Sequence, residues 1–304
     1  GAAADAPARL DETARTVARA YTLALIQNGR SREADVVLRH KFPDARYRLA
    51  DDVLRYGATD APSVAFPAGA VGAYDGALSP ALFEAVRASL APDGDFWPSH
   101  AYDDEASGFF SYVHSLDDGT PTVVVRAARA LRKAFRKSVP AIAEATGIEW
   151  WTHRRPHGAG HQLHFDSADE GAGADGPQHP LCSVVLYLSE ARLGGPTLVT
   201  TQESGATTMP RRGCACLVPP APNRAACFRG DLLHAVLPGR GAAPGGPDAR
   251  RVTLMISFWR RPHATAARQS PPVAAMRFPE APPSVATPHA PDAWAAPFYA
   301  ARPG

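Results

Sequence analysis

The sequence of 304 residues contains few cysteines and no long apolar run. Its four cysteines are Cys182, Cys214, Cys216 and Cys227. They form no Cys-x-x-Cys pair and are too sparse for a disulfide scaffold, so we expect small buried hydrophobic residues. No stretch of about 20 apolar residues occurs, which excludes a transmembrane helix and predicts a soluble chain that does not use a membrane as partner.

A large excess of charge of one sign is also missing. The 32 basic and 30 acidic residues leave a formal charge of +2, with a pI near 8.4. This balance is too close to neutral to predict binding to nucleic acid or to an anionic membrane. The first four residues, Gly1–Ala4, lack the basic-then-apolar pattern of a secretory signal. The compartment therefore stays open, and a targeting segment that has been removed is compatible with this start.

Apolar residues make up 45% of the sequence, which is enough for a sizeable core. In three stretches they recur every three or four positions, which predicts amphipathic helices. These stretches are residues 10–25, 82–90 and 124–135. Asn28-Gly29 predicts the end of the first helix. Ser31 and Ser79 are each placed to cap the helix that follows, and Pro80 suits a first helical turn.

The pattern changes at Trp150, where short β-branched and aromatic runs alternate with Gly- and Pro-rich turns. This texture predicts strands of an antiparallel barrel or jelly roll. The predicted strands are residues 183–188, 197–201, 215–218, 225–228 and 251–259. We therefore predict a mainly β fold with flanking helices (α+β). Residues 1–148 form a helical region with the opening strands, 149–261 the β core, and 262–304 an irregular Pro/Ala-rich tail, with the N-terminal helices packed on the core.

Two motifs carry metal-binding residues, namely His164-Phe165-Asp166 and Gly230-Asp231-Leu232-Leu233-His234. On a strand, positions 164 and 166 point to the same side, so an imidazole and a carboxylate can bind one ion. His234 from a distant strand completes a set of two nitrogens and one carboxylate. This is the facial triad of non-haem Fe(II) oxygenases, which leaves coordination positions open for other ligands. We interpret the nearby His157 and His161 as loop or supporting residues.

A basic residue follows the second motif. Arg251-Val252-Thr253 opens the last predicted strand, 17 residues after His234 (251 − 234). Its guanidinium can form a bidentate hydrogen-bonded pair with the distal carboxylate of 2-oxoglutarate, and the Thr253 hydroxyl points to the same side.

With these motifs, the sequence resembles the Fe(II)/2-oxoglutarate-dependent dioxygenases, and within them the prolyl 4-hydroxylase-like branch. The matching segments are His164-Phe165-Asp166, Leu186-Tyr187-Leu188, Gly194-Gly195-Pro196-Thr197-Leu198, Gly230-Asp231-Leu232-Leu233-His234 and Arg251-Val252-Thr253. The resemblance covers residues 150–259 and implies a double-stranded β-helix, which is a jelly roll. It also implies that Tyr187 binds the co-substrate's distal carboxylate.

The resemblance implies Fe(II), 2-oxoglutarate and O₂ as cofactor and co-substrates, with oxidation of an unactivated C–H bond and release of succinate and CO₂. Hydroxylation is the expected outcome, because the carboxylate ligand Asp166 is present, whereas related halogenases lack it. The sequence departs from the family at residues 151–155, where relatives often carry a tyrosine. Many prolyl hydroxylases also have lysine where Arg251 stands, which loosens the link to proline substrates.

The substrate is left as a small molecule or a peptide. Residues predicted by position to line the pocket rim are Trp151, Arg155, Gln162, Ser167 and Thr197. Three other interpretations stay open at this point. The chain could be a cupin-like metal enzyme that does not use 2-oxoglutarate, a non-catalytic binding module on the same barrel, or a structural β domain with chance histidines. Succinate formation separates the first of these from a 2-oxoglutarate-dependent enzyme.

Overall fold

The computed structural model describes residues 12–42, 48–57, 66–100, 102, 111–117, 119, 121–168, 177–206, 213–261 and 299–301. The described helices are α1 Glu12–Gln27, α2 Ser31–Lys41, α3 Asp51–Leu54, α4 Pro80–Ser89, α5 Phe96–Ser99 and α6 Val123–Phe135, with a 3₁₀ helix at Pro140–Glu144. The described strands are β1 Val71–Tyr74, β2 Tyr112–Ser115, β3 Gly147–Pro156, β4 His161–His164, β5 Cys182–Tyr187, β6 Thr197–Glu203, β7 Gly213–Val218, β8 Ala225–Arg229, β9 Leu232–Val236, β10 Arg250–Trp259 and β11 Tyr299–Ala301. None of the described helices is long and apolar enough to cross a membrane.

The described residues belong to two compact units. The smaller unit contains α1, α2 and α3, and strand β11 runs parallel to residues 213–215 at the start of β7. Gly29, with φ of +80°, ends α1 as predicted. The capping role predicted for Ser31 is wrong, because α2 begins at Ser31 itself and the Ser31 hydroxyl donates to the Asp51 carboxylate instead. Arg48 joins the same group through an ion pair of 2.6 Å to Asp51.

The larger unit contains the two sheets of a jelly roll. One sheet has the strand order β1-β8-β5-β10-β3-β2, and the other contains β7-β6-β9-β4, with residues 216–218 of β7 in this unit. Of the eight strands from β3 to β10, the first sheet therefore contains β3, β5, β8 and β10. The second sheet contains β4, β6, β7 and β9. This division confirms the predicted fold class of a double-stranded β-helix with helices.

Alternation along β10 separates a helix-packed face from a cavity face. Val252, Leu254, Ile256 and Phe258 belong to a core that also includes Phe83 and Val86 of α4 and Val124, Leu131 and Phe135 of α6. Burying each such apolar side chain contributes about 1.5–3 kcal/mol. The intervening residues Arg251, Thr253 and Met255 line a cavity instead. Because successive side chains of a strand point to opposite sides, the helix contacts determine which residues face that cavity.

The predicted helix starts in this unit are close to the observed ones. Ser79 is the N-cap residue of α4 and Pro80 its first helical residue, although the Ser79 side chain forms no capping hydrogen bond. The predicted tail lies outside the described residues except for β11. The segment boundaries at residues 148 and 261 stay a prediction. Among the cysteines, Cys182, Cys216 and Cys227 are buried, and Cys214 is partly buried.

Candidate metal centre

His164, Asp166 and His234 come together at one point of the larger unit. His164, the last residue of β4, is the direct partner of His234 on β9, so their rings lie 4.1 Å apart between centroids. Asp166 Oδ1 lies 3.5 Å from His164 Nε2 and 3.6 Å from His234 Nε2. The predicted strand position of Asp166 is wrong, because β4 ends at His164. Its carboxylate reaches the histidines from the following loop.

The backbone fixes which nitrogen of each histidine faces this point. His164 Nδ1 lies 2.8 Å from the carbonyl oxygen of Gln162, and His234 Nδ1 lies 3.0 Å from that of Leu232. A carbonyl oxygen only accepts hydrogen bonds, so Nδ1 carries the proton in both rings. In the neutral ring this tautomer directs the lone pair of each Nε2 to the common point, which is the form of imidazole that binds a metal ion.

The Asp166 carboxylate is also fixed by a residue other than the two histidines. Its Oδ2 accepts a hydrogen bond of 2.5 Å from the Ser183 hydroxyl on β5, while the His179 ring bonds to the backbone carbonyl of Asp166. Burial acts to raise the pKa of Asp166, but the adjacent His234 and His164 hold that pKa well below its usual range. Asp166 is therefore charged at neutral pH, with Oδ1 directed toward the two imidazoles.

These residues fit a divalent transition-metal ion. The three residues are 3–6% exposed, and their ligand atoms lie within 4.8 Å of one another. Within the described part of the chain, the buried His234 Nε2 has no hydrogen-bond partner, so a metal ion would satisfy it. Two neutral nitrogens and one carboxylate form the donor set of the facial triad.

A cavity extends from the two histidines between the sheets. It is lined by Trp151, His153, Arg155, His161, His164, Val185, Tyr187, Thr197, His234, Val236, Arg251, Thr253 and Met255. Two predicted rim residues are not in this lining. The Gln162 side chain is exposed, and Ser167 lies in the loop after Asp166. A second groove, which is larger than this cavity and has a volume of about 420 Å³, is lined by residues that include Leu90 and Val252. None of the three metal-site residues lines it.

Arg251 is buried in the cavity wall, with 3% of its surface exposed. Its Nη1 donates a hydrogen bond of 3.3 Å to the carbonyl oxygen of Gly195. Gly194 leaves room for the guanidinium, since a Cβ there would lie 2.6 Å from Arg251 Cδ. His157 supports this turn, because its Nδ1 accepts the Gly194 N–H at 3.0 Å. His157 is therefore a structural histidine, consistent with its predicted supporting role.

Tyr187 and Thr197 face each other in the same cavity. The Tyr187 hydroxyl lies 2.6 Å from Thr197 Oγ1 and 2.9 Å from the carbonyl oxygen of Val218. The phenol therefore has protein partners already, and burial raises its pKa. Thr253 is the direct neighbour of Tyr187 on β10. The co-substrate roles of Tyr187, Thr253 and Arg251 stay predictions.

The sequence motifs missed two residues of the site. His153 lines the cavity beside Thr253, and Ser183 holds Asp166. The alternation of residues 151, 153 and 155 along a strand could have indicated the first. No motif marks Ser183, because its contact with Asp166 depends on how β5 lies behind the loop.

No protein-family model and no curated protein matches the chain. Several solved structures do. A prolyl-4-hydroxylase from Pseudomonas putida is 18% identical, with 65% of this chain and 88% of that chain covered and a TM-score of 0.39. A viral collagen prolyl hydroxylase from Paramecium Bursaria Chlorella virus-1, in complex with 2OG, is 14% identical over 62% and 94% of the chains, with a TM-score of 0.35.

An oxidoreductase of the 2OG-Fe(II) oxygenase family from Burkholderia pseudomallei is 12% identical over 66% of this chain and 89% of that chain, with a TM-score of 0.36. These structures include the prolyl 4-hydroxylase-like proteins that the sequence motifs resemble. Because the identities and TM-scores are low, the function of this chain is inferred from its own strand order and side chains.

Proposed function

We propose that this protein is an Fe(II)- and 2-oxoglutarate-dependent oxygenase that hydroxylates an unactivated C–H bond of a small-molecule or peptide substrate. One observation carries the proposal. The cavity that begins at the buried His164 and His234, beside Asp166, also contains the buried guanidinium of Arg251. One cavity thus offers a metal site with open positions and a carboxylate-binding group.

In this function, His164, Asp166 and His234 hold Fe(II), and Arg251 with Thr253 and Tyr187 binds the distal carboxylate of 2-oxoglutarate. Fe(II) bound there would supply the activation of O₂, of which one oxygen atom would enter the substrate and the other the succinate formed with CO₂ from 2-oxoglutarate. Asp166 would supply the negative charge of the site, and each imidazole would bind the metal through Nε2. The apolar side chains of Val185, Val236 and Met255 line the cavity and limit access of water.

The substrate contacts proposed for this reaction are Trp151 and Thr197, which line the cavity. Gln162 and Ser167 become weaker candidates because of their positions outside its lining. A small molecule or peptide, and no nucleic acid, is the proposed partner. The net charge of +2 and the enclosed position of the site support this choice.

The test is an anaerobic titration of the protein with Fe(II) and then 2-oxoglutarate, observing the visible charge-transfer band of the chelate. We expect the band in the wild type and in His40→Ala, which removes an exposed histidine of α2. We expect no metal binding in His234→Ala. A wild type that binds Fe(II) but shows no band, and that releases no succinate when O₂ is then admitted, would favour the cupin-like interpretation over this proposal.

A further inference from the structure

Arg155 and Arg251 lie side by side on neighbouring strands. They are direct partners in the pairing of β3 with β10, so their side chains leave the same face of the sheet. Both line the cavity that contains the metal-site histidines. Like charges placed directly opposite each other destabilise a sheet. The repulsion between the two guanidinium groups therefore destabilises the fold, and a bound anion would offset that repulsion.

Within the part of the chain that the structure describes, little balances the charge of Arg155. Its Nη1 donates one hydrogen bond of 3.2 Å to the carbonyl oxygen of Gly160. Among the described residues, no carboxylate forms an ion pair with it, and none of the cavity-lining residues is acidic. Burial lowers the pKa of Arg155, because the charged form loses contact with water. A carboxylate ligand supplies both the charge and the acceptors that this guanidinium lacks.

The two guanidiniums reach the same end of the cavity. Arg155 binds the Gly160 carbonyl and Arg251 the Gly195 carbonyl. These glycines pack against the end of β9, since a Cβ would lie 2.7 Å from Val236 O at Gly160 and 2.0 Å from Leu237 O at Gly195. His234 is two residues before Val236, roughly 7 Å along the strand. That distance is about the length of a five-carbon diacid.

The histidines of the cavity do not add further positive charge. His153 lies directly opposite Thr253 on β10. Burial, together with Arg155, Arg251 and His164, keeps the pKa of His153 well below its usual range, despite the opposing effect of Asp166. The two arginines are therefore the source of positive charge at this end of the cavity.

We infer that Arg155 and Arg251 together bind the distal carboxylate of the 2-oxo acid, which makes Arg155 a second co-substrate-binding residue rather than a substrate contact. The inference rests on the proposed function, because it needs a diacid that chelates the metal at its other end. Its basis is the register of the two arginines and their shared cavity. Specificity for a diacid over a mono-acid then depends on two guanidinium groups instead of one.

The experiment is calorimetric binding to the full chain loaded with Mn(II), which avoids turnover. The probes are 2-oxoglutarate and pyruvate, a 2-oxo acid without the distal carboxylate. We expect Arg155→Gln to weaken 2-oxoglutarate binding roughly 10- to 100-fold, because a charge-assisted hydrogen bond is lost, and to leave pyruvate binding unchanged. Arg155→Lys, which keeps the charge without the planar donors, is expected to lie between.

Arg154→Gln is the matched control. Arg154 is the next residue on β3, points to the opposite face and lies 4.8 Å from the ring centroid of Trp97. We expect it to bind both probes as the wild type does. Thermal melts check folding: without ligand, Arg155→Gln should melt no lower than wild type, since a like-charge contact is removed. Its 2-oxoglutarate-induced rise in melting temperature should be smaller.

Unchanged 2-oxoglutarate affinity in Arg155→Gln, or an equal loss for pyruvate, would overturn the inference while the proposed function stands. A wild type that binds Mn(II) but not 2-oxoglutarate would overturn the proposed function itself, and with it the inference. The two failures are therefore distinguishable in the same set of titrations.

Discussion

The two metal-site histidines are oriented by the backbone of their own strands. In each case Nδ1 binds the carbonyl oxygen two residues earlier, at Gln162 for His164 and at Leu232 for His234. The same local geometry therefore appears on two strands that are far apart in sequence. Because strand conformation supplies the acceptor, no further side chain is needed to set the tautomer of either ring.

Asp166, by contrast, depends on a side chain from another strand. Its Oδ2 accepts from Ser183, while Oδ1 faces the imidazoles. We expect Ser183→Ala to weaken metal affinity roughly 10- to 100-fold, because the carboxylate can then rotate away from the geometry that the metal requires. The measurement is a competitive Mn(II) titration of the purified protein.

The control for this prediction is Ser257→Ala. The Ser257 hydroxyl lies 3.3 Å from that of Ser183. It acts on the carboxylate only through Ser183, so its loss should lower metal affinity less. Equal affinity in Ser183→Ala and wild type would show that the loop alone fixes Asp166.

At the scale of elements, the turn between β5 and β6 determines where Arg251 lies. Gly194 has φ of +88°, and a Cβ there would lie 2.6 Å from Arg251 Cδ and 2.8 Å from its Nη1. The adjacent Gly195 packs more closely still, because a Cβ there would lie 2.0 Å from the carbonyl oxygen of Leu237. Glycine is thus required at position 194 by backbone conformation and by Arg251, and at position 195 by the approach of Leu237.

Replacing Gly194 by alanine should therefore displace Arg251. We expect Gly194→Ala to weaken 2-oxoglutarate binding to the Mn(II)-loaded protein roughly tenfold or more, because the guanidinium loses its geometry. Gly205→Ala is the matched control: Gly205 has φ of +75°, but a Cβ added there would meet no atom within 4 Å. It carries a similar backbone cost, of order 1–3 kcal/mol, without the contact. Equal 2-oxoglutarate affinities in the two variants would contradict the role of this turn.

For the whole molecule, the buried imidazoles make stability depend on pH. The pKa of His153 is held well below its usual range by burial and by Arg155, Arg251 and His164. Above about pH 6.5, His153 is neutral in both the folded and unfolded chain and contributes no pH dependence. Below that pH the unfolded chain binds a proton that the folded chain excludes. The free energy of unfolding of the metal-free protein should therefore fall, by about 1.4 kcal/mol per pH unit for this residue.

Urea unfolding between about pH 6.5 and 5 checks this expectation. His153→Gln should reduce the slope by the contribution of one proton, whereas His40→Gln, at an exposed position of α2, should leave it as in the wild type. A slope that is the same in wild type and His153→Gln would show that His153 takes up its proton in the folded protein.

The sequence alone determined the strand pattern, a barrel or jelly-roll β fold, and the identity of the His164–Asp166–His234 cluster, while the resemblance of its motifs implied the double-stranded β-helix. It could do so because alternation and short motifs are local, and because three ligands of one ion require particular residue types in a particular order. The position of Arg251 beside Thr253 was also predictable, since a strand that opens with Arg-x-Thr after the second motif places both side chains on one face.

Only the tertiary structure decided what lies beside these residues. The pairing of β3 with β10 puts Arg155 next to Arg251, and the position of β5 puts Ser183 behind Asp166. The loop after β4, rather than the strand, carries Asp166 to the histidines. Such contacts join residues far apart in the chain, and they depend on strand order and register, which no local pattern specifies.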